Sequence, residues 1–129
     1  MNWIFALAGL SAAAVLAGAA QASPVDAAFG NTILSTYPDG RTAEIWLHPD
    51  GSYTAEGRRG DPSSGHWSTR GSKLCLKQSH PMPSFMSFCT AVPENGLRDG
   101  WTSKAITGEK IQVRLVRGIA KGHQGPPPS

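Results

Sequence analysis

Two stretches of the chain alternate apolar and polar residues with a period of two. In the first, Ala43, Ile45 and Leu47 share one side while Glu44, Trp46 and His48 share the other; in the second, Ile111, Val113 and Leu115 alternate with Gln112 and Arg114. Successive side chains of a strand point to opposite faces, so this period predicts strands with one buried face. The first stretch is bracketed by two copies of one turn, Pro38-Asp39-Gly40 and Pro49-Asp50-Gly51. Proline fixes φ, aspartate tolerates turn geometry and glycine supplies positive φ, so each tripeptide predicts a hairpin connection.

The same reading gives eight candidate strands: 30–37, 41–48, 52–58, 65–70, 73–79, 84–91, 100–106 and 110–117. Turn-forming residues separate them: Gly60-Asp61-Pro62-Ser63-Ser64-Gly65, Arg70-Gly71-Ser72, His80-Pro81-Met82-Pro83, Pro93-Glu94-Asn95-Gly96 and Thr107-Gly108. No segment sustains a helical period. Short strands at this spacing predict an all-β domain, a small antiparallel up-and-down barrel or a curled meander, and closing it would remove exposed edges.

The first 22 residues do not belong to this domain. Asn2 to Ala20 carries no charge, Ile4 to Leu16 is apolar or small throughout, and Ala20-Gln21-Ala22 follows. That is the pattern of a secretory signal peptide, cleaved at about Ala22, although Met1-Asn2-Trp3 lacks the usual basic residue. The stretch is short for a membrane span, which needs about 20 apolar residues. Residues 23–118 are then one exported domain, periplasmic or secreted, and Gly118 to Ser129, with Pro126-Pro127-Pro128, predicts a disordered tail.

Export changes how the cysteines are read. Cys75 and Cys89 are the only two, and an oxidising compartment favours pairing them. They fall on strands expected to be neighbours across the Ser79–Ser84 loop. Closing a loop of this length contributes about 3 kcal/mol by restricting the unfolded chain. The net charge of +3 comes from twelve basic and nine acidic residues spread along the chain, with Arg58-Arg59 the one adjacent pair. A nucleic-acid binder would show a basic stripe interleaved with aromatics, so no nucleic-acid partner is expected.

Three short motifs, Leu47-His48-Pro49-Asp50-Gly51-Ser52-Tyr53-Thr54, Gly65-His66-Trp67 and Gly71-Ser72-Lys73-Leu74-Cys75-Leu76, occur in that order. The series resembles the lipocalin-like (calycin-type) small domains of bacterial exported proteins, over residues 44–77. The resemblance implies a compact antiparallel barrel and a ligand-binding rather than a catalytic role. Two departures accompany it: Leu47 stands where an aromatic is common, and the G-x-W element lies mid-chain instead of on the first strand. No ligand-pocket residue is therefore carried over.

Among candidate sites, Trp67 reads as a core residue closing one barrel end. Trp46 lies with Glu44 and His48 on the face opposite the aliphatic residues, which predicts an amphipathic patch for a partner or a glycan. His80, Met82 and Met86 gather soft ligands in one loop, the residue types that select copper(I). Asp39, Asp50, Asp61 and Asp99 each sit beside Gly or Pro in turns, and Glu44 with His48 reads as surface electrostatics. No catalytic or cofactor motif is found, so neither an enzyme nor a cofactor is expected. The reading is an exported binding barrel whose ligand is a small apolar molecule in the barrel mouth, or a protein or glycan on the Trp46 face. The alternative is a protease inhibitor whose free N-terminal segment, Ser23-Pro24-Val25-Asp26, enters its target; periplasmic copper binding ranks third.

Overall fold

A computed structural model describes residues 25–93 and 96–119. The signal peptide read in residues 1–22 and the tail from 120 onward lie outside the described residues. The eight strands are β1 (Thr32–Thr36), β2 (Thr42–Leu47), β3 (Ser52–Glu56), β4 (Pro62–Arg70), β5 (Lys73–His80), β6 (Phe88–Ala91), β7 (Trp101–Lys104) and β8 (Lys110–Val116). They form one antiparallel sheet in the order β6-β5-β4-β3-β2-β1-β8-β7, curled into a nearly closed barrel. The hairpin succession expected from the turns holds from β1 to β6 and again from β7 to β8. Closure comes from β1 pairing with β8, Ile33 opposite Leu115 and Ser35 opposite Val113. The opening falls between β6 and β7, where the hydroxyls of Thr90 and Ser103 share a hydrogen bond of 2.6 Å.

The turns explain why the strands begin and end where they do. In four connections the residue before the turn donates its N–H to the carbonyl four positions on, and the glycine three positions on donates back: Tyr37 with Arg41, His48 with Ser52, Gly57 with Asp61, and Ala105 with Glu109. The returning glycines Gly40, Gly51, Gly60 and Gly108 all have positive φ. This is a tight turn followed by a left-handed residue, a hairpin whose twist suits its strands. Asp39 and Asp50 complete two of them by accepting the N–H of Arg41 and Ser52, each at 2.9 Å.

Three expectations shift. Strand 65–70 begins earlier, at Pro62, because Pro62, Ser63 and Ser64 pair with Glu56, Ala55 and Thr54 of β3 where a turn was expected. Strand 84–91 shortens to Phe88–Ala91, because Pro81 and Pro83 have no N–H to offer a ladder and residues 81–87 form a wide loop. A 3-10 turn, Asp26–Ala28, precedes β1 in a stretch for which no element was expected.

Alternation puts Ile33, Leu47, Tyr53, Leu74, Ile111 and Val113 inside, with Val92 and Leu97 from the β6–β7 connection. Cys75 and Cys89 are directly opposed on β5 and β6 and form the disulfide, with an S–S distance of 2.06 Å. Gly65 stands at a register shift between β4 and β5. A Cβ there would collide with the Lys77 carbonyl and lie 2.9 Å from Gln78 Cα, so the G-x-W motif begins with glycine because two backbones touch. Gly65→Ala should therefore lower stability by about 2–3 kcal/mol in urea unfolding. Gly40→Ala meets no atom within 4 Å and carries only the strain of its φ of 85°, about 1 kcal/mol.

Candidate functional site

Because neighbouring strands are antiparallel, connections 37–41, 57–61, 81–87 and 105–109 lie at one end of the barrel, and 48–51, 71–72 and 92–100 at the other. The two ends differ. At the second, the segment before β1 acts as a plug: Val25 and Ala28 are buried in the core, and Phe29 meets Trp67 with ring centroids 5.7 Å apart. Trp67 is fixed there by its indole N–H, which donates to the His48 carbonyl at 2.7 Å. Trp67 thus closes a barrel end, as its motif implied.

Toward the first end the interior is not filled. A cavity of about 210 Å³ is lined by Ile33, Ile45, Leu76, Phe88, Trp101 and Val113, with Tyr37, Ile106 and Thr107 among its neighbours at the turns. Phe88 and Trp101 come from the two strands flanking the opening. Trp101 brings the one side-chain polar atom that is buried without a hydrogen-bond partner among the described residues, its indole nitrogen. Leaving such a donor unpaired costs about 1–3 kcal/mol, so this wall is not optimised for stability alone.

Three turns at this end are tied by one ionic cluster. Arg58 donates to both carboxylate oxygens of Glu109, at 2.9 and 3.3 Å, lies 3.7 Å from Asp39, and stacks its guanidinium 4.2 Å from the centre of the Tyr37 ring. The planar guanidinium suits both tasks at once, a bidentate carboxylate and an aromatic face.

The sequence-derived candidates fare unevenly. Glu44, Trp46 and His48 do share the face opposite Ile45 and Leu47, but they do not make the expected amphipathic patch. Trp46 is only 4% exposed. Its indole N–H donates to Thr32 Oγ1 at 3.0 Å, and the Thr32 hydroxyl donates in turn to the Gly118 carbonyl at 2.8 Å. An indole whose one donor is satisfied internally has nothing to present to a partner. His48 Nε2 lies 3.2 Å from Thr54 Oγ1, while Glu44 is placed opposite Leu34 and Glu56.

The free N-terminal segment expected of an inhibitor is likewise not free at Val25, which is fully buried, or at Asp26, which opens the 3-10 turn; Ser23 and Pro24 lie outside the described residues. Met82 and Met86 lie in the β5–β6 loop with their side chains largely exposed, whereas His80 is the last residue of β5, paired opposite Ser64. Among the described residues no three His, Cys, Asp or Glu side chains come together as a metal-ligand set, and no helix is long and apolar enough to cross a membrane.

Sequence reasoning missed the cavity residues Phe88 and Trp101. Alternation identifies residues that face inward; it carries no signal for a space they leave empty. Comparison with known proteins finds no family model, no curated protein and no solved structure that matches the chain.

The cluster predicts a pH dependence. The hydrogen bond from Arg58, and after it that from Thr107, holds the Glu109 carboxyl below the ordinary glutamate value of 4.5. A depressed folded-state pKa stabilises above the unfolded value, and the contribution is lost as pH falls through the folded one. Thermal melts taken from neutral pH down to about pH 3 should therefore show a steeper acid-side decline for the native protein than for Glu109→Gln. The variant should already melt lower at neutral pH.

Proposed function

We propose that the protein is an exported barrel that carries a small apolar molecule in its interior. One observation carries the reading: an apolar cavity of about 210 Å³ inside a small domain that is plugged at one end and bounded by turns at the other. An apolar space open toward the turns holds water that finds few hydrogen-bond partners there, at a cost in free energy. An apolar occupant offsets part of that cost. The volume suits a molecule of about one aromatic ring with a short chain. The unpaired Trp101 indole stands in the same wall, where side-chain rearrangement around an occupant bearing one acceptor would relieve it.

Export is supported by the disulfide, which persists in oxidising compartments, and by the apolar stretch ending at Ala20-Gln21-Ala22. The calycin-type resemblance of residues 44–77 agrees with a ligand-carrying barrel.

Titration with n-butylbenzene, one ring with a short chain, tests the cavity, read by tryptophan emission and calorimetry. Binding in the micromolar range is expected, about −8 kcal/mol. Ala43→Leu, which fills space at the cavity wall, should weaken it at least tenfold, whereas Trp46→Phe should leave it unchanged. Binding that ignores Ala43→Leu but disappears with Trp46→Phe would return the site to the outer face. Separately, mass spectrometry of protein isolated from the cells that make it should find an N-terminus at Ser23; an intact Met1 would refute export with cleavage.

A further inference from the structure

We infer that the open end of the barrel docks on an anionic lipid bilayer, with Phe85, Met86, Met82 and Ile106 entering the boundary between headgroups and acyl chains. The inference goes beyond the ligand-carrying reading, since docking requires no occupant in the cavity.

Its first support is where the exposed apolar side chains are. The large hydrophobic residues that stand out in solvent among the described ones are Phe85 (95% exposed), Ile106 (78%), Met86 (77%) and Met82 (70%). Scattered single apolar residues are ordinary on a soluble surface. These four are not scattered. Three belong to the β5–β6 loop and one to the β7–β8 turn, connections that lie at the same end and flank the opening between β6 and β7. Ile106 and Phe88, which follows the loop, line the same cavity, so the two connections that carry the apolar tips border it on one side.

The second support is charge. Lys104 and Lys110 face each other directly across β7 and β8, both exposed, on the hairpin that carries Ile106. Like charges in directly opposed positions repel, and a layer of anionic headgroups relieves that repulsion. Lys77, also exposed, donates to the Phe85 carbonyl and so stands at the base of the apolar loop. Of the carboxylates at this end, Glu109 and Asp39 are already engaged by Arg58, while Glu56 and Asp61 lie on the β3–β4 hairpin, which also carries the exposed Arg59. Apolar tips with lysines set behind them are the arrangement by which a peripheral protein lies on an anionic membrane surface. Placed so, the cavity mouth faces the acyl region, and an apolar molecule can move between bilayer and barrel without crossing water.

The test is flotation of the protein, isolated from its producing cells, with vesicles of phosphatidylcholine alone or mixed with phosphatidylglycerol. Binding to the mixed vesicles should exceed binding to phosphatidylcholine at least tenfold at low salt and fall as salt is raised. The double variant Phe85→Ser, Met86→Ser should lose at least tenfold of that binding. Lys104→Gln with Lys110→Gln should lose both affinity and salt dependence. Circular dichroism confirms that each variant is folded. Absence of binding to the mixed vesicles, or binding unchanged in both variants, overturns the inference. So does concentration-dependent dimerisation abolished by Phe85→Ser, which would assign the patch to a second copy of the chain. Titration with n-butylbenzene without vesicles reports the cavity alone, so failure of docking and failure of ligand binding are told apart.

Discussion

The fold depends on one constraint, that every second side chain of eight short strands must leave water together. Ile33, Ile45, Leu47, Tyr53, Leu74, Ile111 and Val113 satisfy it from five different strands, and only a sheet curled on itself gives all of them a common interior. A flat sheet of the same strands would bury these residues on one side against nothing. Curling also leaves β6 and β7 as neighbours across a narrow opening instead of as two distant edges. The disulfide reinforces β5 and β6 on the outer face, beside that opening, where the barrel has the fewest backbone ladders to hold it.

The two ends of the barrel divide its tasks. The plugged end is built for stability: Val25, Ala28 and Phe29 pack inward, and Trp67 combines ring contact with a satisfied indole N–H. The other end has an unfilled interior, an indole nitrogen without a partner, and apolar side chains in solvent. Features that cost stability and cluster together are the ordinary signature of a functional region. The Arg58 cluster keeps three of the turns at that end in place without closing it.

Local rules made much of this legible from the residues. The Pro-Asp-Gly turns at 38–40 and 49–51, the inward set Ala43, Ile45 and Leu47, and the Cys75–Cys89 pairing each follow from contacts between residues close in sequence. What stayed hidden was non-local or negative. Pairing of β1 with β8 joins residues more than 70 positions apart, and no local pattern specifies it. Trp46 lies on the face its period implies, but it is buried there, and burial of an outer face leaves no trace in a period of two. Phe85 was read inside a strand; the prolines at 81 and 83 were the signal that it belongs to a loop. The cavity is a mismatch of side-chain volumes, which alternation does not measure.

The ladder between β1 and β8, fastened by the Thr32 hydroxyl on the Gly118 carbonyl and the Gly118 N–H on Asn31, also sets the order of assembly. As the chain is synthesised, β1 appears first and its second partner last. Until residues 110–116 are available, one edge of β1 stays open to any other strand. The barrel thus has no closed state before residues 110–116 are made, and the entropy of drawing so long a loop together is lost before the contacts it allows are gained. A chain held extended until its last strand has emerged loses nothing by waiting.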